Sequence, residues 1–236
     1  MNIASVKESA LNILFTKRCK YCGDIIVPEA EICDNCSDNL PVISESICVL
    51  CGHSKADCKC KKHKNEYRAV AAPFYYDGGI KKAIHRFKFD SREYVGDTLA
   101  VDMAETVIRE YSGIMFDFIT FVPFSKAEKK SREYNQSELL ANKLSKSLDI
   151  PAADVLLKLY ETPSQHTLKQ KERKGNVFGV YDVKPESSVS GKTVLLVDDI
   201  KTTGATLSEC AKMLKLAGAD TVYCVCAAIT KIIKKD

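Results

Sequence analysis

The sequence predicts an α/β protein: a mainly parallel sheet with helices on both faces, carrying a small N-terminal cysteine module. Three observations predict it. Apolar runs of strand length alternate with helical periodicity from residue 67 to residue 229, the pattern of βα units. Val194–Val197, four aliphatic residues bounded by polar ones, read as a buried central strand that leads through a small, hydroxyl-rich loop into a helix. Eight of the eleven cysteines lie before residue 61 in tight pairs, which on a chain with a core of its own favours metal binding over a disulfide framework. Residues 1–64 are assigned to an N-terminal helix and double ribbon, and residues 65–236 to the α/β domain.

Composition narrows the function. The 236 residues are 45% hydrophobic and 28% charged, enough for one substantial core plus a small module. A net charge of +4 and a pI of about 8.4 are only mildly basic, so nucleic-acid binding would need a local patch rather than a global field. No apolar run reaches transmembrane length, and membrane insertion is not expected. Ile3, Val6, Ala10, Ile13 and Leu14, interrupted by Lys7, Glu8 and Ser9, read as an amphipathic helix over residues 1–18 rather than a signal core. A cytoplasmic location is expected.

Residues 19–60 form the cysteine module. Cys19-x-x-Cys22 and Cys33-x-x-Cys36 are separated by ten residues, and Gly23 permits the tight turn of a knuckle. Four thiolates in tetrahedral array make a closed, structural zinc site. Cys48-x-x-Cys51, again followed by glycine, begins a second cluster with Cys58 and Cys60 as partners. One or two structural zinc ions are expected. Pairing interleaved between the clusters stays open, as do His53 and His63 as substitute ligands, although solvent-exposed polar residues are the simpler reading of both. Lys61, Lys62, His63 and Lys64 close the module as a solvated turn or as part of a basic face.

Residues 67–76 read as a strand that Pro73 confines to an edge or bulge. Asp77-Gly78-Gly79 is a turn, residues 79–88 a helix with Ile80, Ala83, Ile84 and Phe87 at helical spacing, and residues 93–111 a second helix. Residues 117–122 are a strand ended by Pro123. A polar, basic loop follows, and from Ser137 a helix with Leu139, Leu140, Leu144 and Leu148 on one face. Residues 153–159 are a short strand, residues 161–176 a loop with a helical piece, and residues 177–183 another strand. Gly218 ends the helix that follows the central strand, and residues 221–229 are the last buried strand. Cys210, Cys224 and Cys226 read as buried small hydrophobes.

The chemistry concentrates between the central strand and its helix. Asp198 and Asp199 end the strand, and the loop runs Lys201, Thr202, Thr203, Gly204, Ala205, Thr206. Backbone N–H groups and threonine oxygens there can surround a phosphate at the helix N-terminus. The adjacent carboxylates can accept hydrogen bonds from vicinal hydroxyls, so a 5′-phosphate and a ribose diol would both be held. A βα turn capped by Asp and Thr is the plainer alternative, but caps rarely require two acids, three threonines and a glycine together. The strand followed by Asp-Asp-x-x-Thr-Thr-Gly-x-Thr resembles the phosphoribosyl pyrophosphate motif of type I phosphoribosyltransferases.

Further stretches widen the resemblance: the paired cysteines, Ile84 to Phe89, Val122-Pro123, Arg132 with Asn135-Gln136, and Gln165, Arg173 and Asn176. Over nearly the whole chain the sequence resembles the ComF/GntX family, competence-associated phosphoribosyltransferase-like proteins with an N-terminal double zinc ribbon. Where that family usually reads Arg-Gly-Phe, this chain reads Arg132-Glu133-Tyr134, and Lys126, Lys129 and Lys130 stand where it often shows another arginine. The resemblance implies a type I phosphoribosyltransferase-like fold. It implies Asp198 and Asp199 at the ribose hydroxyls, Thr202, Thr203, Gly204, Ala205 and Thr206 around the 5′-phosphate, and Arg132, Lys88 and Arg173 facing the pyrophosphate. Asn135 and Gln136 orient that loop or cap the helix behind it.

The implied reaction displaces pyrophosphate from the anomeric carbon, with Mg2+ and basic side chains stabilising the leaving charge. Asp198, Asp199 and Arg132 are the catalytic candidates, and the acceptor is undeclared. The partners implied are phosphoribosyl pyrophosphate, single-stranded DNA and the competence machinery. A non-catalytic sensor of the sugar phosphate and a single-stranded-DNA-binding adaptor are the alternatives. In the adaptor, basic loops would meet phosphates while Tyr67, Phe74, Tyr75 or Tyr76 stacked bases, against core packing as the plainer role of those rings.

Overall fold

The structure, a computed structural model, describes residues 16–43, 46–60, 65–89, 93–124, 133–160 and 179–231. In chain order its elements are α1 (Asp34–Asn39), β1 (Ala69–Ala71), β2 (Phe74–Tyr75), α2 (Gly78–Phe89), α3 (Glu93–Glu110), β3 (Phe118–Phe121), α4 (Gln136–Leu148), β4 (Leu156–Lys158), β5 (Tyr181–Val183), β6 (Thr193–Lys201), α5 (Ala205–Leu216) and β7 (Thr221–Ile229). The expected leading helix falls largely outside the described residues.

The main sheet is wholly parallel, with lateral order β1–β7–β6–β3 and β2 also on β7. β6 and β7 are its centre, paired from Thr193↔Thr221 to Lys201↔Ile229. Val194–Val197 are fully buried, as a strand covered on both faces must be. The paired helices α3 and α4 pack on this sheet, and α5 packs against β6, β7 and β5. Cys210, Cys224 and Cys226 are completely buried within it.

Three expectations are corrected. The central strand does not stop at Asp198: β7 continues to pair with it through Asp198↔Cys226, Ile200↔Ala228 and Lys201↔Ile229, so both acids stand on the strand. Residues 153–159 and 177–183 yield only the three-residue β4 and β5 among described residues, and these form an antiparallel ladder of their own, Leu156↔Val183. Their half-buried faces could not sit inside a parallel sheet. The strand at residues 67–76 is two pieces, broken at Pro73, which has no N–H to give.

The cysteine module lies along the β1–β2 edge. Val70 N–H donates to Val49 O at 2.9 Å, Tyr75 N–H to Pro41 O at 2.8 Å, and Ile43 N–H to Pro73 O at 2.8 Å. An edge strand that would otherwise present unpaired backbone groups is thereby taken up within the chain. Among the described residues no helix is long and apolar enough to cross a membrane.

Candidate functional site

The carboxyl end of β6 carries Asp198 and Asp199 side by side, and neighbouring elements hold each one. Asn135 caps α4, accepting from Ser137 N and Glu138 N while its Nδ2 donates to Val122 O at 3.0 Å. That cap aims Ser137 at the site, where its Oγ donates to Asp198 Oδ1 at 3.0 Å. Asp199 N–H donates to the same oxygen at 2.9 Å. Of the two roles weighed for Asn135, the structure places it as the cap. Lys88 comes from the last turn of α2, and its Nζ lies 2.6 Å from Asp199 Oδ2. Tyr134 pins that turn, its hydroxyl on Phe87 O and its ring 5.6 Å from the Phe87 ring.

These contacts set the charge. Burial pushes the Asp198 carboxyl up to about 7, and the neighbouring Asp199 charge adds to the rise; Lys88, the Ser137 hydroxyl and the Asp199 N–H oppose it. The ligand-free site thus holds one carboxyl that resists ionising beside one paired with an ammonium. Lys201, 5% exposed, points into the interior, and burial lowers its pKa.

Thr202 and Thr203 continue from β6 to Gly204, which takes φ +80° and caps α5 without any side-chain hydrogen bond. Thr203 Oγ1 accepts from Ala205 N at 3.3 Å. The turn thus sets a helix N-terminus directly after the strand that carries the two acids. Gly204 is required twice over, since a Cβ there would lie 3.0 Å from Tyr67 Oη and 3.1 Å from Lys201 Cε. Arg132 and Arg173 lie outside the described residues, as do Gln165, Asn176 and the lysines of the basic loop.

The cysteines gather as two separate sets, Cys19, Cys22, Cys33 and Cys36, and Cys48, Cys51, Cys58 and Cys60, each with its Sγ atoms within 4.8 Å of one another. The Cys22–Cys33 and Cys51–Cys58 sulfurs are 3.5 and 3.7 Å apart, close to the roughly 3.8 Å edge of a zinc tetrathiolate and far beyond a disulfide. Backbone N–H groups of Asp24, Cys36 and Cys60 point at sulfurs of Cys22, Cys33 and Cys58. The donor sets fit structural zinc. Gly23 and Gly52 take φ +82° and +78°, the knuckle turns their positions require.

His53 corrects the sequence reading. It is 3% exposed and belongs to neither cluster; Nε2 meets Thr230 O at 3.0 Å. Because Thr230 offers only a carbonyl there, Nε2 carries the proton, and burial holds the ring's pKa down. His63 lies outside the described residues. Tyr67, Phe74 and Tyr75 are buried, so they present no free face to a base. Ser137 and Lys201 were not singled out for a role from sequence. Ser137 had no signal beyond following Asn135-Gln136, whereas Lys201 sat inside the motif itself.

Comparisons with known proteins bear on the fold and on the cysteine module. Residues 135–235 match the phosphoribosyl transferase domain, and residues 10–67 match the double zinc ribbon domain. Competence protein F of Haemophilus influenzae is 27% identical over 88% of this chain and 95% of its own length. DNA utilization protein YhgH of Shigella flexneri is 29% identical over 84% of this chain and 91% of its own. Competence protein ComFC of Bacillus subtilis is 28% identical over 80% of each. Fold and site define a protein of type I phosphoribosyltransferase fold bearing a double zinc ribbon. Over most of its length the chain is similar to these proteins, named competence protein F, DNA utilization protein YhgH and competence protein ComFC.

Proposed function

We propose that the protein binds phosphoribosyl pyrophosphate at the end of β6, with residues 65–236 as the transferase-like unit and residues 1–64 as its zinc-held platform. The observation that carries this reading is the Asp198–Asp199 pair on β6 leading through a threonine-rich turn directly into a helix N-terminus whose N-cap is Gly204. The two carboxylates accept hydrogen bonds from the ribose hydroxyls, and the Thr202–Thr206 backbone takes the 5′-phosphate. Lys88, released from Asp199 as the hydroxyls arrive, turns its ammonium to the diphosphate, joined by Arg132 and Arg173.

Transfer then breaks the bond from the anomeric carbon to pyrophosphate, whose oxygen keeps the electron pair. A bond to the acceptor forms, and the acceptor's proton leaves to solvent. Asp198 and Asp199 hold the sugar while positive charge builds on it. Magnesium fits this donor set through the ligand, since Asp199 already faces Lys88 and the ion favours phosphate oxygens and water. When bound, it neutralises charge on the leaving diphosphate.

DNA handling is the setting in which to seek the acceptor, because relatives bear the names competence protein and DNA utilization protein. The buried Tyr67, Phe74 and Tyr75 argue against base stacking on the β1–β2 segment. The deciding experiment is calorimetric titration with phosphoribosyl pyrophosphate and Mg2+ for the native chain and an Asp198→Asn/Asp199→Asn variant. Binding by the native chain, lost in a variant that keeps its fold, is expected; equal binding would sink the assignment. Pyrophosphate release across bases and single-stranded DNA then separates transferase from sensor.

A further inference from the structure

The second knuckle touches the phosphate loop by two routes. The first runs through Tyr67, which is 4% exposed. Its hydroxyl donates to Leu50 O, between Cys48 and Cys51, at 3.4 Å, and lies 3.0 Å from where a Cβ on Gly204 would stand. Asn65 Nδ2 donates to the same Leu50 carbonyl at 2.8 Å, and Glu66 N–H donates to Ser208 Oγ in the first turn of α5 at 3.1 Å. Residues 65–67 therefore bridge the knuckle to the loop and to the helix that the loop opens.

The second route runs through His53. Its Nε2–H meets Thr230 O at 3.0 Å; Thr230 N–H donates to Lys201 O at 3.0 Å, and Thr230 Oγ1 donates to Thr202 O at 3.4 Å. His53 Nδ1 is buried without a partner. An orphaned polar atom is costly, and a histidine that merely filled space would be replaced by an apolar side chain at no loss. Gly52 presses on the same strands, since a Cβ there would lie 2.4 Å from Ile229 Cδ1 and 3.1 Å from Val70 O.

We propose that the second knuckle is a positioning device for the phosphate loop: Leu50 through Tyr67, and His53 through Thr230, hold Lys201–Gly204 in the shape that presents its N–H groups to a phosphate. This rests on the phosphate reading of the loop. A metal that closes Cys48, Cys51, Cys58 and Cys60 fixes the knuckle, and the loop inherits that rigidity. Tyr67, His53 and Thr230 are positioning residues; none touches the ligand.

The test uses the full-length, zinc-loaded chain and the variants Tyr67→Phe, His53→Ala and His53→Gln. Amide hydrogen exchange at residues 202–206 is read without ligand, bound zinc is counted, and phosphoribosyl pyrophosphate with Mg2+ is titrated. Tyr67→Phe and His53→Ala are expected to keep both zinc ions, to exchange about fivefold faster at residues 202–206 and to bind about fivefold more weakly, the effect of one hydrogen bond. His53→Gln, which retains a donor toward Thr230, is expected to restore native behaviour. Should His53→Ala fail to fold, Tyr67→Phe decides, since it removes a single oxygen. Unchanged exchange in folded, zinc-replete Tyr67→Phe overturns the proposal. Failure of the native chain to bind the sugar phosphate overturns the phosphate reading, whereas the ligand-free exchange alone decides the relay.

Discussion

Replacing Asp198 with asparagine should make the ligand-free protein more stable above neutral pH while abolishing sugar-phosphate binding. The substituted side chain would keep an Oδ1 to accept from Ser137 Oγ and Asp199 N–H, so the local geometry survives. The Asp198 carboxyl rises from an ordinary 3.8 to about 7, chiefly through burial and then through the Asp199 charge. The folded chain therefore binds more protons than the unfolded one between about pH 4 and pH 7, and stability falls as pH rises through that window. Over the whole window the rise corresponds to at most about 4 kcal/mol, and the residue's remaining solvent contact brings it nearer 2. Roughly 1 kcal/mol of it falls between pH 6 and pH 8, where the zinc thiolates stay formed. Urea unfolding of both proteins, zinc-loaded and without Mg2+, should show the native chain losing stability from pH 6 to pH 8 and the variant losing less, so that the variant leads by about 2 kcal/mol at pH 8. Parallel curves for the two proteins, or a variant less stable at pH 8, would refute the reasoning.

Two further expectations concern the seat of the first cluster. Tyr21 Oη donates to the Asp102 carboxylate at 3.1 and 3.2 Å, while burial lifts that carboxyl to about 6 despite the tyrosine. Since the folded pKa is raised, stability falls as pH climbs from about 4 to 6. Asp102→Asn should then raise the melting temperature at pH 7 by the equivalent of about 1 kcal/mol, discounted for partial exposure, and a lower melting temperature would contradict this. A Cβ on Gly79 would stand 2.8 Å from Cys36 Sγ, a sulfur that a structural zinc would hold in place. Gly79→Ala should destabilise by roughly 1–3 kcal/mol and hasten zinc loss to a chromophoric chelator; an unchanged release rate would show that the cluster does not depend on this packing.

Much of the fold was legible because its strongest signals are local. Val194–Val197 and residues 221–229 have the unbroken apolar runs of strands buried on two faces, and both emerged at the sheet's centre. The cysteine spacing pointed to the two clusters because each opens on a Cys-x-x-Cys pair followed by a glycine, the length and residue a knuckle turn needs. What failed was set by partners distant in sequence. The end of β6 depends on how far β7 accompanies it, which no feature of Asp198 or Asp199 discloses. His53 looks like an exposed polar residue until Thr230, 177 residues away, supplies its acceptor. Ser137 becomes a site residue only because Asn135 caps α4 and the second helical position meets Asp198 on β6. The two acids, the threonine loop and Lys88 were visible as a motif and a resemblance, but the Lys88–Asp199 pairing could be known only from where α2 ends.

The placement of the two clusters has a consequence for the site as a whole. In a parallel sheet all strands end on the same side, so whatever seats against the end of β7 lies beside the end of β6. The second knuckle does this, with Gly52 on Ile229 and His53 on Thr230, one strand away from the loop after Lys201. The first cluster supports the other flank. Cys36 packs on Gly79 at the start of α2, and Arg86, two residues before Lys88, donates to Tyr21 O at 3.3 Å. Each ribbon thus underlies one wall of the site: one the phosphate loop, the other the helix that brings Lys88 to Asp199. Neither wall rests on the sheet alone, since Cys36 packs on the start of α2 and the second knuckle meets Ile229 and Thr230 beside the loop. A fold of this kind would gain little from ribbons held on a flexible tether, and the backbone hydrogen bonds along the β1–β2 edge show that these are built into the sheet's own margin.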